Sequence, residues 1–497
     1  MIKIVELTKD NEEKYLDQIV ELEQISLEAM KKEGREGQLF DTGREGISEY
    51  VHSNENSVIV ATDENDKVEA ATYVTQGQSP FTYNDITKYF KYGEKYKQYV
   101  KSQYLSDRDY KKDLRNIYII KIKAFEYAKN EGVEIKKVAD IFCGCGTVAL
   151  ESKIHNYDFW GCDINPVATL IAKTKSCDYN IEKLEEYYGK IEKAVASMQF
   201  GKNEYKNANE RLRYWFTEKS YLDLLKLYQA IELTVDDKRY RDAFECIFSA
   251  ILKACSKWLT KSIKPQVDPN KKDVDVEQCF ARQYKKLLKA VKELKGSDSK
   301  VEVKCQNFLT CKDLPKVDLV ITSPPYVTSY EYADLHQLSS LWLNYTDDYR
   351  KLRKGSIGSI YYSNEADIDV SKLNKTGKEI VDLLVKSNCP KSKVKSVARY
   401  YIDMQDAVKR SSLMLNDDGM IFFVIGDTEY KGVKILNSKH LVETLHEEGF
   451  ADIKIGKRTI SKGICVPFRD SNGKFSKDKS QKQIYHEEFI ISGRHHR

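Results

Sequence analysis

Apolar positions in this chain gather into short runs that end on glycine, proline or acidic breaks, a pattern of buried strands feeding loops and helices. Val138-Ala139-Asp140-Ile141-Phe142 runs into Cys143-Gly144-Cys145-Gly146-Thr147 and then Val148-Ala149-Leu150-Glu151, which predicts a strand, a glycine turn and a helix. Phe159-Trp160-Gly161-Cys162 predicts a second strand, ending on Asp163-Ile164-Asn165-Pro166. A later strand, Val317-Asp318-Leu319-Val320, leads into Ile321-Thr322-Ser323-Pro324-Pro325-Tyr326. Ahead of these lie a strand from Ile2 to Leu7, a helical stretch from Glu13 to Glu33 and a hairpin pairing Ser57–Thr62 with Val68–Val74. Phe244 to Ile263 reads as one strongly apolar helix, on which Lys253, Lys257, Lys261 and Lys264 recur at helical spacing. That row either tracks phosphates or is an ordinary solvated face, and the loop from Lys264 to Lys272 is the better candidate for contact with a polyanion.

The Ser-Pro-Pro-Tyr segment implies chemistry on an exocyclic amino group of a nucleobase. Such a nitrogen is a poor nucleophile until its lone pair is drawn out of the ring. The Ser323 hydroxyl and the Pro324 carbonyl can accept hydrogen bonds from an NH2 group, Pro324-Pro325 stiffens the backbone, and Tyr326 offers a face to an extruded base. The Gly144-x-Gly146 turn before a helix suits a nucleotide-type cofactor, and Asp163 lies at the spacing expected of a ribose partner. Ala149 stands at the last position of a G-x-G-x-x-G pattern, which weakens a dinucleotide reading, and Ser-Pro-Pro-Tyr on a later strand favours S-adenosylmethionine.

The pair Phe-Cys-Gly-Cys-Gly-Thr and Thr-Ser-Pro-Pro-Tyr, in that order, resembles the amino-methyltransferases that make N4-methylcytosine or N6-methyladenine in DNA, over roughly residues 115–495. The resemblance implies an α/β fold with a doubly wound, Rossmann-like sheet. It implies S-adenosylmethionine held by Asp140, Phe142, Gly144, Gly146, Thr147, Asp163, Ile164 and Asn307. Asn307, in Lys304-Cys305-Gln306-Asn307-Phe308, is an amide where the family usually has an acid. Catalysis falls to Ser323, Pro324, Pro325 and Tyr326. Asp418 to Asp427 is similar to the turn and fifth strand of that fold, Tyr401 to Met404 to the opening of a helix, and Glu487 to Ile491 to its closing hairpin strand. Serine at the head of the tetrapeptide is similar to the cytosine-N4 enzymes, with adenine N6 as the alternative and an RNA base methyltransferase or a non-catalytic DNA-binding protein behind it. Carbon-5 methylation needs a cysteine nucleophile, and no cysteine lies between Cys311 and Cys389.

Composition adds little steering. A net charge of +5 is mild, so attraction to double-stranded DNA must come from local patches. Charged residues follow Met1-Ile2 at once and no apolar run reaches membrane length, which implies a cytoplasmic protein, nucleoid-associated through DNA. The 11 cysteines show no disulfide framework or zinc spacing, so no metal is expected, and Cys143 and Cys145 read as small fillers of the glycine turn. Residues 1–110 read as an α/β appendage that resembles the opening of a GNAT-type acetyltransferase without its acyl-CoA loop. The tyrosine- and lysine-rich stretch from Thr82 to Tyr110 either holds DNA or covers the cofactor helix. The catalytic domain, 111–497, carries a helical insertion at about 176–300 and a second at about 345–400. The second leaves the catalytic loop directly and bears Arg350, Arg353, Lys391, Lys393, Lys395 and Arg399, which makes it the candidate target-recognition element. His336 reads as structural. The chain contains no convincing nuclease motif, so a cognate restriction endonuclease would be a separate partner.

Overall fold

The computed structural model describes residues 3–32, 43–52, 56–75, 124–262, 264–294, 296–327, 331–359, 368–459, 468–469, 475–476, 482–483 and 487–495. The chain divides into two compact units, Met1–Ile119 and Ile120–Arg497. In the first, Lys3–Glu6 pairs antiparallel with Asn56–Thr62, which pairs antiparallel with Val68–Thr75. The hairpin turn is held by Asp63, whose Oδ1 accepts from the Asn65 and Lys67 amides. Helices Leu16–Lys32 and Gly43–His52 bring Leu16, Ile19 and Ile47 into a core with Val58 and Val60. The second helix was not anticipated, since its sequence is mostly polar; Ile47 is its fully buried apolar residue among those whose burial is described. The stretch from Thr82 to Tyr110 lies outside the described residues.

The second unit is built on seven strands: β1 (Lys137–Asp140), β2 (Asp158–Asp163), β3 (Val301–Cys305), β4 (Val317–Thr322), β5 (Leu415–Gly426), β6 (Phe450–Thr459) and β7 (Glu487–His495). Their spatial order is β6-β7-β5-β4-β1-β2-β3. Strands β1 to β5 are parallel, and β7 runs antiparallel to both β5 and β6. Alternate residues go to opposite faces, as a pleated strand requires. Val138, Phe159, Leu319 and Phe422 pack with Val148 and Ala172 on one side. Ala139, Trp160, Val320 and Phe423 pack on the other with Ile380, Val397, Tyr401 and Leu441. Both faces are therefore buried, which explains why these strands read as continuous apolar runs rather than alternating ones.

The helices of this unit include α1 (Thr147–Ile154), α2 (Pro166–Ser176), α3 (Ile181–Ser197), α4 (Glu218–Thr234), α5 (Lys238–Cys255), α6 (Val276–Glu293), α7 (Gln337–Trp342), α8 (Lys375–Lys386), α9 (Lys391–Met414) and α10 (Asn437–Glu447). Helices α3 to α6 form a core of their own around Leu184, Leu224, Phe244 and Phe248, into which α7 inserts Leu341 and Trp342. The expected apolar helix thus ends at Cys255, not Ile263. Its end is closed by Lys271, whose Nζ donates to the Lys253 and Trp258 carbonyls, while Lys253 Nζ donates to the Ser262 carbonyl. Lys257, Lys261 and Lys264 fall beyond the helix, so the four lysines do not share one face. Tyr401 likewise does not open a helix but lies near the middle of the 24-residue α9. No helix among the described residues is long and apolar enough to cross a membrane.

Candidate active site

Between β1 and β4 the strand order reverses: the chain moves from β1 to β2 and β3 on one side, then returns to β4 on the other. Parallel sheets leave a ligand crevice at the carboxyl ends of strands at such a point. Here the two ends are stitched together by side chains. Thr322 Oγ1 donates to Asp140 Oδ1 at 2.6 Å, and the Phe142 amide lies 3.2 Å from both Asp140 Oδ1 and Thr322 Oγ1. Asp140 and Thr322 are fully buried, so each satisfies a polar atom that would otherwise be costly.

The turn after β1 depends on its glycines. Gly144 and Gly146 both have positive φ, +48° and +73°, in the region that disfavours side chains. A Cβ on Gly146 would come within 2.6 Å of Ala172 Cα, so this glycine lets the turn lie against α2. A Cβ on Gly144 would meet nothing within 4 Å, so that residue faces open space. Cys143 is buried and Cys145 exposed. Helix α1 starts at Thr147, directly behind Gly146.

Asp163, at the end of β2, holds this turn in place. Its Oδ2 accepts from the Gly144 amide at 2.9 Å and its Oδ1 from the Asn165 amide at 2.8 Å. Removal from bulk water raises the Asp163 carboxyl above its ordinary pKa, an effect that the two backbone donors oppose. Asn165 then caps α2, accepting from Val167 and Ala168 with Pro166 at the first helical position. Asp-Ile-Asn-Pro is therefore a strand end and a helix start in four residues.

Phe142 packs edge-on against Phe308, with ring centroids 6.4 Å apart. The neighbouring Asn307 is engaged locally: Oδ1 accepts from the Leu309 amide, and Nδ2 donates to the Gly355 carbonyl at 3.4 Å. Gly355 also lies against Ile164, since a Cβ there would be 3.1 Å from Ile164 Cδ1. Three residues on, the Gly358 carbonyl accepts from Ser396, and Ser359 donates to Glu331. The start of the second insertion therefore spans from the β2 and β3 ends to the segment after β4.

Beyond Thr322, the Ser323 hydroxyl oxygen is buried and meets no hydrogen-bonding partner among the described residues. Pro324 is buried and Tyr326 half-buried. The Tyr326 hydroxyl donates to Glu488 Oε1 at 2.9 Å, and burial together with that carboxylate raises its pKa well above the usual value. Glu488 had no role in the sequence reading. It lies 162 residues from Tyr326 along the chain, and its only local signal is an acid heading the last apolar strand.

The six candidate DNA contacts separate into two groups. Arg350, Lys391 and Lys395 are exposed, Arg350 pairing with Asp348. Arg353, Lys393 and Arg399 turn into the protein. Arg353 Nη2 is 2.7 Å from Asp334 Oδ1, and Arg399 Nε is 2.8 Å from the fully buried Asp403. Lys393 is 8% exposed, its ammonium lies 5.3 Å from the Tyr430 ring centroid, and burial lowers its pKa to about 8. Burial also lowers the pKa of His336. Among the described residues no group of three or more His, Cys, Asp or Glu is placed to hold a metal ion.

No family model matches the chain. A curated relative, the type II methyltransferase M.MvaI of Kocuria varians, is 23% identical over 333 residues, covering 61% of this chain and 72% of the relative. Among solved structures, TehB from Haemophilus influenzae covers 89% of this chain and 86% of its own at 8% identity, with a TM-score of 0.25, too low to carry an argument.

Proposed function

We propose that this chain is an S-adenosylmethionine-dependent DNA methyltransferase acting on the exocyclic amino group of a base, cytosine N4 ahead of adenine N6. The observation that carries the reading is the buried Ser323 hydroxyl at the end of β4, without a partner among the described residues and one residue from the Thr322 contact that ties β4 to the glycine turn. A buried hydroxyl with no partner costs free energy unless a ligand satisfies it. The relationship to a type II methyltransferase supports the same class of reaction. The burial of both sheet faces supports a doubly wound, Rossmann-like arrangement.

The residues at the switch point fit the cofactor. Gly144 borders open space, Asp163 has acceptor capacity left after its two backbone bonds, and the α1 N-terminus favours a carboxylate. Asp140, Phe142, Gly146, Thr147 and Ile164 complete the cradle. Asn307, its amide committed to Leu309 and Gly355, forms wall rather than replacing the acid usual at that position. When bound, S-adenosylmethionine supplies an electrophilic methyl group on a sulfonium centre. Ser323 and the Pro324 carbonyl accept from the two amino hydrogens, directing the nitrogen lone pair outwards. Pro325 keeps that acceptor pair rigid, and Tyr326 stacks on the extruded base. Serine at the first position supports cytosine N4, on the family resemblance.

In this reading residues 1–110 are an appendage without catalysis, 176–300 a helical insertion and 345–400 the target-recognition element, with Arg350, Lys391 and Lys395 its outward cations. Double-stranded DNA in the cytoplasm is the substrate, and a separate restriction endonuclease is a partner the chemistry allows.

The test is methyl transfer from labelled S-adenosylmethionine to unmethylated genomic DNA, with RNA in parallel. The expected result is label in DNA, with Ser323→Ala lowering turnover at least about a hundredfold while cofactor affinity stays within about threefold. Label in RNA alone, or no label, would overturn the proposal.

A further inference from the structure

We infer that Glu488, on the last strand of the sheet, positions and polarises the Tyr326 ring, an inference that rests on the amino-methyltransferase reading of this site. Glu488 is 6% exposed and is the second residue of a strand that continues with the apolar Phe489 to Ile491. Burying a carboxylate there is costly, and a hydrophobic residue would pack at that position without the cost. The carboxylate instead accepts the Tyr326 hydroxyl at 2.9 Å, and it stands opposite Gly426, the last residue of β5. Glu488 is thus anchored at the carboxyl edge of the sheet, where the candidate catalytic loop also emerges.

Two consequences follow for Tyr326. Its ring axis is held by the hydroxyl at one end and by the backbone at the other, and packing of part of the ring against the sheet core sets its plane while part stays accessible. A ring held in this way loses less freedom when a base stacks on it. The charged acceptor also draws the phenol proton towards itself, which makes the ring face more electron-rich. Methylation places positive charge on the base amino group before a proton departs, and an electron-rich face favours a cation above it. The interaction is stronger in the transition state than in the ground state, so it acts mainly on kcat.

The experiment compares Glu488→Gln, Glu488→Ala, Tyr326→Phe and the double variant Tyr326→Phe/Glu488→Ala in steady-state methylation of unmethylated genomic DNA. Thermal unfolding and S-adenosylhomocysteine affinity are measured on each protein. The expected outcome is a kcat at least about tenfold lower for Glu488→Ala with KM for DNA within about threefold. Glu488→Gln, which keeps an acceptor without the charge, recovers part of that loss. In the Tyr326→Phe background, Glu488→Ala costs nothing further. The inference is overturned if Glu488→Ala leaves kcat unchanged, if its loss is equally large in the Tyr326→Phe background, or if Glu488→Gln recovers nothing. It is also overturned if kcat falls only in step with cofactor affinity and melting temperature. An inactive wild-type protein would remove the methyltransferase reading and this role together, whereas an active wild type with an indifferent Glu488 would remove this role alone.

Discussion

The Asp163 carboxylate and the Gly144 amide, 19 residues apart, are joined by a hydrogen bond of 2.9 Å that ties the end of β2 to the turn after β1. Asp163 therefore shapes the turn on which the proposed cofactor site depends. Asp163→Ala is expected to release the Gly144 and Asn165 amides, costing about 1–3 kcal/mol of stability, and to weaken S-adenosylhomocysteine binding at least about tenfold. Asp163→Asn, which keeps one acceptor oxygen, is expected to lose less stability. Thermal unfolding and calorimetric titration check both, and an unchanged melting point for Asp163→Ala would contradict the structural half.

The two turn glycines differ in what they tolerate. Gly146→Ala forces a methyl group into Ala172 backbone at 2.6 Å and is expected to destabilise the protein by several kcal/mol or prevent folding. Gly144→Ala has room and bears only the cost of its positive φ, about 1–2 kcal/mol, so that variant should fold. Its defect should appear in cofactor affinity. Denaturant unfolding of both variants separates the two effects.

Lys393 carries a stability cost that depends on pH. Its pKa falls from 10.5 to about 8 in the folded protein, so from pH 8 to 10.5 the unfolded chain binds the extra proton and stability rises with pH. Below pH 8 the charged amine is buried at a cost. Lys393→Met is expected to stabilise the protein at pH 7 by about 1–3 kcal/mol, the loss of the Tyr430 contact offsetting part of the gain. The advantage should shrink at pH 9.5. Urea unfolding at the two pH values reads it, and destabilisation at pH 7 would contradict the argument.

Arg399 compensates a buried acid. Asp403 has a pKa of about 7, raised by burial and partly restored by Arg399, so its folded form holds a proton that the unfolded chain gives up between about pH 4 and 7. Stability falls as pH rises through that window. Arg399→Ala is expected to cost about 3–5 kcal/mol at pH 8 and less at pH 6, and Asp403→Asn in the same chain should recover most of it. A loss independent of pH would contradict this account.

The two motifs were legible because each joins an apolar run to breakers whose geometry is local: glycines with positive φ after β1, and prolines after β4. The end of α5 was not, since lysine spacing continued past Ser256 while the chain turned back through the Trp258–Val267 bridge. The inward turn of Arg353, Lys393 and Arg399 was also hidden, because charge in a sequence reads as exposure. Arg353 and Lys393 meet groups that only the fold brings near, Asp334 and the Tyr430 ring, whereas Arg399 meets Asp403 one helical turn away, whose burial only the fold decides. Glu488 and Thr322 belong to the same class, their partners lying 162 and 182 residues away.

We propose that Ser323, Pro324 and Tyr326, at the end of β4, serve methylation of a base amino group in DNA. The direct measurement is to incubate the full chain with unmethylated genomic DNA and labelled S-adenosylmethionine, digest the DNA to nucleosides and identify the labelled base by mass spectrometry. The expected product is N4-methylcytosine. N6-methyladenine would contradict the choice of base drawn from Ser323, and DNA without label would contradict the claim itself.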